Sequence, residues 1–255
     1  MPFFYHFLIF FLLFPLYNAD PIGEFCNKDK NISSSRTSTT IDRVLAQLVT
    51  KASSDGFATA SSGGGRIETV YGLAQCRGDV SSKDCSACIA DAAKQIRQLC
   101  PNEADARIWY DYCFLRYDTE DFVGKLDAGV GLIFYNVNNV TDPDTFNREL
   151  GTLVERIRAE ALAPSNNGLG KGKTKISPFV TIYGLVQCTR DLSRLSCEQC
   201  LAIAIANFPK YCKDKEGCQI NYSSCRARYE IYPFFFPLDS SKKVFSTSLR
   251  VLVYP

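Results

Sequence analysis

The segment Val70-Tyr-Gly-Leu-Ala-Gln-Cys76 recurs as Ile182-Tyr-Gly-Leu-Val-Gln-Cys188, 112 positions later. The same offset carries on without a gap. Cys76, Cys85, Cys88, Cys100 and Cys113 fall on Cys188, Cys197, Cys200, Cys212 and Cys225, while Tyr110, Arg116 and Tyr117 fall on Tyr222, Arg228 and Tyr229. Self-similarity at a fixed period marks repeated structural units. The 255 residues therefore divide into two copies of one domain, each of about 100 residues, an ordinary domain size.

One cysteine in each copy leaves the pattern. Cys26 lies far upstream in copy one and has no counterpart near Asn138, whereas Cys218 stands in copy two where copy one has Ala106. Each copy still keeps six cysteines and can close its own bridges. The expected pairing is Cys26–Cys100, Cys76–Cys85 and Cys88–Cys113, then Cys188–Cys197, Cys200–Cys225 and Cys212–Cys218. Six cysteines permit about 15 connectivities, and spacing does not choose among them. The Cys85-x2-Cys88 and Cys197-x2-Cys200 spacings also admit a redox-active dithiol or a four-cysteine zinc site.

The compartment weighs on that choice. Residues 1–19 read as a signal peptide, because Phe3 to Leu16 is nearly unbroken Phe, Leu and Ile, long enough for its apolar core and short for a bilayer span. A retained anchor is the alternative. An oxidising route favours structural disulfides, and no metal or other cofactor is expected. The one histidine, His6, lies inside that leader. The mature chain then has no imidazole for Ser-His-Asp or Cys-His nucleophilic chemistry or for a histidine-ligated metal, and an enzyme is not expected.

Other partners are narrowed in the same way. A net charge of +2 gives no electrostatic footprint for nucleic acid. No second apolar run of about 18 residues follows the leader, so no membrane span is expected. Asn31-Ile-Ser33, Asn139-Val-Thr141 and Asn221-Tyr-Ser223 are acceptor triplets for glycosylation.

Ile41, Val44, Leu45, Leu48 and Val49 repeat at helical spacing, with Gly56 as a stop. Ser81-Ser-Lys-Asp84 resembles a capping box that opens a second helix. In copy two, Thr141-Asp-Pro-Asp144 opens one helix, and another follows Ser193 to about Phe208. Strands are predicted at Arg66 to Cys76, Ala106 to Tyr117, Val130 to Val137, Val180 to Cys188 and Gln219 to Pro233. Two helices on an antiparallel sheet, once per copy, is an α+β fold. Gly168 to Thr174 imitates a phosphate loop but is one residue short of that motif, and reads as a flexible basic loop.

The Cys-x8-Cys-x2-Cys spacing, with Tyr-Gly-Leu-x-Gln-Cys before it, resembles the plant cysteine-rich repeat secretory proteins, built from ginkbilobin-type (stress-antifungal) domains. Leu99-Cys-Pro-Asn, Ile108-Trp-Tyr-Asp-Tyr-Cys-Phe-Leu-Arg-Tyr117 and Asn139-Val-Thr-Asp-Pro-Asp-Thr-Phe146 look like that family too. The resemblance implies two tandem domains, each with two helices on a five-stranded antiparallel sheet and three disulfides. It places them at residues 22–125 and 131–239, with residues 240–255 as a C-terminal tail. The same domain pair forms the ectodomains of cysteine-rich receptor-like kinases and plasmodesmata-located proteins, which carry a transmembrane helix. This chain looks like the soluble secreted branch, bound for the apoplast.

Some single-domain members of that family bind mannose and inhibit fungal growth, through an Asn, an Arg and a Glu placed around the first and last cysteines. The matching positions here are Asn27, Arg107 and Asp118, the last shorter by a methylene; copy two offers Gln219 and Glu230 with no matching Asn. Amide, guanidinium and carboxylate suit sugar hydroxyls. In one continuous strand Arg107 and Asp118 would stand about 36 Å apart, so a shared sugar requires the chain to reverse between them. Trp109, Tyr110 and Tyr112 read mainly as packing rather than as a stacking platform. The expected function is a secreted defence or stress protein that captures a mannose-type glycan or fungal cell-wall polymer through copy one. A module docking on receptor ectodomains of the same fold, or a disulfide redox sensor, is the alternative.

Overall fold

In copy one, β1 (Gly23–Cys26) leads into α1 (Ser35–Asp55), whose Ile41, Val44, Leu45, Leu48 and Ala52 line one buried face. The computed structural model describes residues 20–238 and, as backbone, 249–254, so the expected signal peptide and most of the tail lie outside the described residues. Ser34 caps α1 by accepting the Thr37 N–H, and Gly56 ends it in the left-handed conformation at φ 75°, which costs a glycine little. A hairpin of β2 (Phe57–Gly64) and β3 (Ile67–Cys76) follows, then α2 (Ser82–Leu99), capped by the Ser81 hydroxyl. Here a single strand was predicted over Ala106 to Tyr117. The structure instead has β4 (Ala106–Trp109) and β5 (Cys113–Asp118), with the turn closed by the Tyr110 N–H donating to the Cys113 carbonyl at 2.8 Å. That turn holds no Gly or Pro, so the sequence carries no punctuation for it.

Copy two repeats the plan with β6 (Gly131–Asn136), α3 (Pro143–Ala161), β7 (Leu169–Lys175), β8 (Thr181–Cys188) and α4 (Arg194–Ala206). A four-residue turn, α5 (Phe208–Tyr211), precedes the hairpin of β9 (Cys218–Tyr222) and β10 (Cys225–Glu230), where one strand to Pro233 was predicted. The glycine-lysine stretch read as a loop is β7. Alternation explains it: a Cβ at Gly170 would stand 1.8 Å from the Ile157 carbonyl of α3. Glycine is thus required on the helix side, and the lysines occupy the other face.

The two sheets are antiparallel, in the orders β1-β4-β5-β3-β2 and β11-β6-β9-β10-β8-β7. The second has a sixth strand because the expected tail supplies β11 (Leu249–Tyr254), which covers the edge β6 would otherwise leave open. Each copy has its own apolar core between helices and sheet. All twelve cysteines are bridged, as Cys26–Cys100, Cys76–Cys85, Cys88–Cys113, Cys188–Cys197, Cys200–Cys225 and Cys212–Cys218. Neither Cys-x2-Cys pair is bridged to itself, and the one grouping of ligand atoms among the described residues, Cys26, Cys100 and Glu103, has both sulfurs in a disulfide.

Candidate functional site

Side chains alternate along a strand, so the residues not facing the helices share the outer face of each sheet. In this chain the two outer faces meet. Gln75 on β3 and Gln187 on β8 make the central contact, and they make it reciprocally. Gln75 Nε2 donates to the Cys188 carbonyl at 2.8 Å while its Oε1 accepts the Arg190 N–H at 2.8 Å. Gln187 Nε2 donates to the Cys76 carbonyl at 3.1 Å while its Oε1 accepts the Gly78 N–H at 3.3 Å. Residue i meets residue j and j meets i, the signature of a two-fold relation between equivalent surfaces. Trp109, Leu132 and Phe134 form an apolar cluster at this junction, and the Trp109 indole N–H donates to the Tyr222 carbonyl at 3.3 Å. Trp109 and Tyr110 are both buried.

The predicted trio lies on this same face. Residue pairing in the β4–β5 hairpin sets Arg107 opposite Arg116 and Ala106 opposite Tyr117, so the chain reversal brings Asp118 back beside Asp105 and Arg107. Asn27 follows β1, where its Nδ2 donates to Asp105 at 3.0 Å and its Oδ1 accepts the Asp29 N–H at 3.1 Å. Arg107 Nη1 stands 3.0 Å from Asp127 and donates to Ser223 Oγ of copy two at 2.8 Å. Asp118 accepts from Arg116 at 3.2 Å and from Lys30 at 3.3 Å. Arg116 also reaches Asp127 at 2.9 Å and lies 4.0 Å over the Phe122 ring.

Asp105, Asp118 and Asp127 thus form one connected network with Lys30, Arg107 and Arg116, which Lys30 carries on to Glu120, and no two of Asn27, Arg107 and Asp118 bond each other directly in it. Arg107 is only 5% exposed. Burial first, and then the neighbouring Arg116, hold its guanidinium below the usual value. Asp127, in the link between the copies, was not a predicted site residue. The only signal for it was its place just after copy one.

Copy two holds a counterpart that the sequence offset hid. The Asn136 N–H donates to the Gly217 carbonyl at 2.9 Å just as the Asn27 N–H donates to the Asp105 carbonyl at 3.0 Å. Asn136 is therefore the equivalent of Asn27, and copy two carries Asn136, Gln219 and Glu230 at the three places. The expectation that copy two lacks the Asn is corrected: the offset slips by three residues before β6, which hides the match. All three are buried. Glycine at Asp105's place leaves room for the Glu230 carboxyl, which accepts from Arg228 at 3.0 Å, and Arg228 lies 4.4 Å over Phe234.

The acceptor triplets separate by exposure. Asn31 and Asn139 are exposed and sit at matching places, bridged to Glu103 and Lys215. Asn221 is 1% exposed in β9 and accepts from Gln219 at 3.2 Å. No helix among the described residues is long and apolar enough to cross a membrane.

The model of the family described as salt stress response/antifungal matches twice, at residues 25–120 and 135–232. The chain is 58% identical to cysteine-rich repeat secretory protein 55 of Arabidopsis thaliana, over 92% of this chain and 91% of that one. It is 40% identical to an antimicrobial ginkbilobin-2-like protein of Castanea crenata, over 85% and 89%. Among solved structures it is similar to the tandem DUF26 ectodomain of the Arabidopsis thaliana cysteine-rich receptor-like protein PDLP8. The TM-score is 0.72 at 29% identity, over 82% of this chain and 97% of that one.

Proposed function

The chain belongs to the salt stress response/antifungal family, and from that premise we propose that it is a secreted, non-enzymatic stress or defence protein whose two copies act as one recognition unit, docking on proteins outside the cell. Its relatives are named secretory and antimicrobial proteins, and its fold neighbour is a receptor-like ectodomain. The observation that carries the reading is the state of Arg107. Its Nη1 is engaged by Asp127 and by Ser223 of copy two, and the side chain lies buried against copy two, so a sugar reaching it would have to part the two copies. We read Asn27, Arg107 and Asp118 as part of the clasp between the copies, and place recognition on the surfaces left outside. Receptor ectodomains of the same fold are the partners this favours.

One observation favours a second reading, capture of a mannose-type glycan. The hairpin does gather the trio into one network, which removes the objection of distance. Two titrations decide between them. Mannose and mannan are titrated calorimetrically into wild type and Arg107→Ala, and the PDLP8 tandem ectodomain is passed over the immobilised protein. Ectodomain binding without a mannose signal supports docking. Saturable mannose binding lost in Arg107→Ala refutes it and establishes the lectin reading.

A further inference from the structure

Each copy serves as the control for the other, and at one place they differ in kind. In copy one, Glu68 links the β2–β3 hairpin to the start of α1. Its Oε2 accepts from Ser33 at 2.9 Å and from Thr37 at 3.2 Å. In copy two, Val180 stands at the position of Glu68, and the buried Phe146 replaces a threonine in the first turns of α3. That hydrogen-bonded link is gone. What is left is a groove of about 240 Å3 between the start of α3 and the β7–β8 hairpin.

Its lining is chemically divided. Val140, Ile176, Val180 and Ile231 are half-buried around Phe146, while Asp142 and Glu216 bring carboxylates to it. Beside it, at the tip of the β7–β8 hairpin, Phe179 is 90% exposed. A lone exposed apolar side chain is ordinary; this one directly precedes Val180, which lines the groove. The carboxylates are not neutralised, since neither forms an ion pair with a described residue. The nearby Lys215 is turned to the Val137 carbonyl and Asn139 Oδ1. The Thr145 N–H and hydroxyl hold the Asp142 carboxyl below its usual value, so it stays charged. The volume lies under the roughly 300–1,000 Å3 of small-molecule sites, a size that suits one or two side chains.

We infer that this groove docks a peptide segment of a partner protein, one presenting an apolar side chain flanked by lysine or arginine. The inference rests on the protein-docking reading above and names its contact. The apolar residue covers Val140, Ile176 and Val180 with Phe179 beside it on the hairpin tip, and the flanking cations meet Asp142 and Glu216. In copy one the position of Val180 is held by Glu68, which is hydrogen-bonded to Ser33 and Thr37.

The probe is the labelled peptide Lys-Leu-Lys-Phe-Lys-Gly. Its controls replace every lysine by glutamate, or both apolar residues by serine. Anisotropy is read against the full secreted chain, before and after enzymatic deglycosylation because Asn139 borders the groove, and against Phe179→Ser and Val180→Glu. The expected result is saturable binding of the first peptide alone, weakened at least tenfold by either variant. Phe179→Ser keeps the wild-type melting temperature, because its side chain is in water. No binding of the basic-apolar peptide, or equal binding by wild type and Phe179→Ser, overturns the inference. The PDLP8 ectodomain separates the two claims. If it binds wild type and both variants alike, the groove is refuted and docking stands. If it binds none while the peptide binds as expected, the groove stands and the ectodomain partner falls.

Discussion

Gln75→Leu tests whether the two copies are held as one body. Leucine keeps the bulk of the side chain and its place in the junction, so little packing is lost. Two hydrogen bonds go: the donor to the Cys188 carbonyl and the acceptor for the Arg190 N–H, both at 2.8 Å. Each leaves a backbone group of copy two facing an apolar side chain. An unmet buried group costs about 1–3 kcal/mol, so the pair should cost about 2–4 kcal/mol, since Arg190 is partly reached by water. For a chain of this size each kcal/mol lowers the melting temperature by roughly 2–4 °C, which sets the expected fall at roughly 5–15 °C. Gln187→Leu removes the symmetric pair and should cost a similar amount. The double variant should fall short of the sum, because the first substitution already loosens the contact the second acts on. Thermal unfolding of the oxidised protein by circular dichroism gives all three values. A fall below about 2 °C for both single variants would refute the claim that these glutamines clasp the copies.

Gly170→Ala should destabilise strongly, by about 3 kcal/mol or more, because the new Cβ would stand 1.8 Å from a helix carbonyl that cannot move alone; chemical denaturation measures it. Replacing Cys26 and Cys100 by serine opens a span of 74 residues and should cost about 4 kcal/mol, against about 2 kcal/mol for Cys212 and Cys218, whose span is 6. Denaturant midpoints should rank in that order. Lys28 lowers the pKa of Glu103 from 4.5 chiefly through their hydrogen bond, so the pairing stabilises the fold above that pH and is lost as pH falls through the folded-state value. Lys28→Met should therefore melt earlier than wild type near neutrality, and the gap should shrink as pH falls below 4.5. Peptide mapping after enzymatic deglycosylation in heavy-oxygen water should label Asn31 and Asn139 and leave Asn221 unlabelled, since a glycan there would block β9.

The helices were legible because their signals are local. Ser34, Gly56 and Ser81 cap and stop helices within a few residues, and the buried stripe of α1 follows the spacing of its own apolar residues. The hairpin turns after Trp109 and Tyr222 were not legible, because Tyr110-Asp-Tyr112 and Ser223-Ser224 contain no turn residue that fixes a backbone. β7 was missed for the opposite reason: glycine, usually a sign of a loop, is needed there for close contact with α3. The site shows the same division. The family resemblance points to Asn27, Arg107 and Asp118, but what engages Arg107 is Ser223, 116 residues away in sequence. The repeated Gln of Tyr-Gly-Leu-x-Gln-Cys, polar in an otherwise apolar strand, is the clue that could have found the clasp.

The junction is symmetric only at its centre. Gln75 and Gln187 answer each other, and so do Arg116 on Phe122 and Arg228 on Phe234, at 4.0 and 4.4 Å. Away from that centre equivalent positions diverge. Arg107 stands opposite Gln219 in the repeat, Trp109 opposite Asn221, Phe114 opposite Arg226, and Asp111 opposite Ser223. These differences are complementary: Arg107 donates to Ser223 at 2.8 Å, while Arg226 donates to the Asp111 carbonyl at 2.9 Å and Arg228 to its carboxylate at 3.3 Å. Two identical chains meeting on a two-fold axis could not divide the residues so, since each would carry the same side chain at both places. One covalent chain can, and the association entropy that a free pair would lose is already spent in the link. The consequence reaches the outer surface. Once the sheet faces are committed to each other, either copy is free to change its exposed side, and Val180 in copy two where copy one has Glu68 is such a difference. Val180→Glu should therefore close the groove without touching the clasp, leaving the effect of Gln75→Leu on the melting temperature unaltered within about 0.5 kcal/mol, as independent sites require.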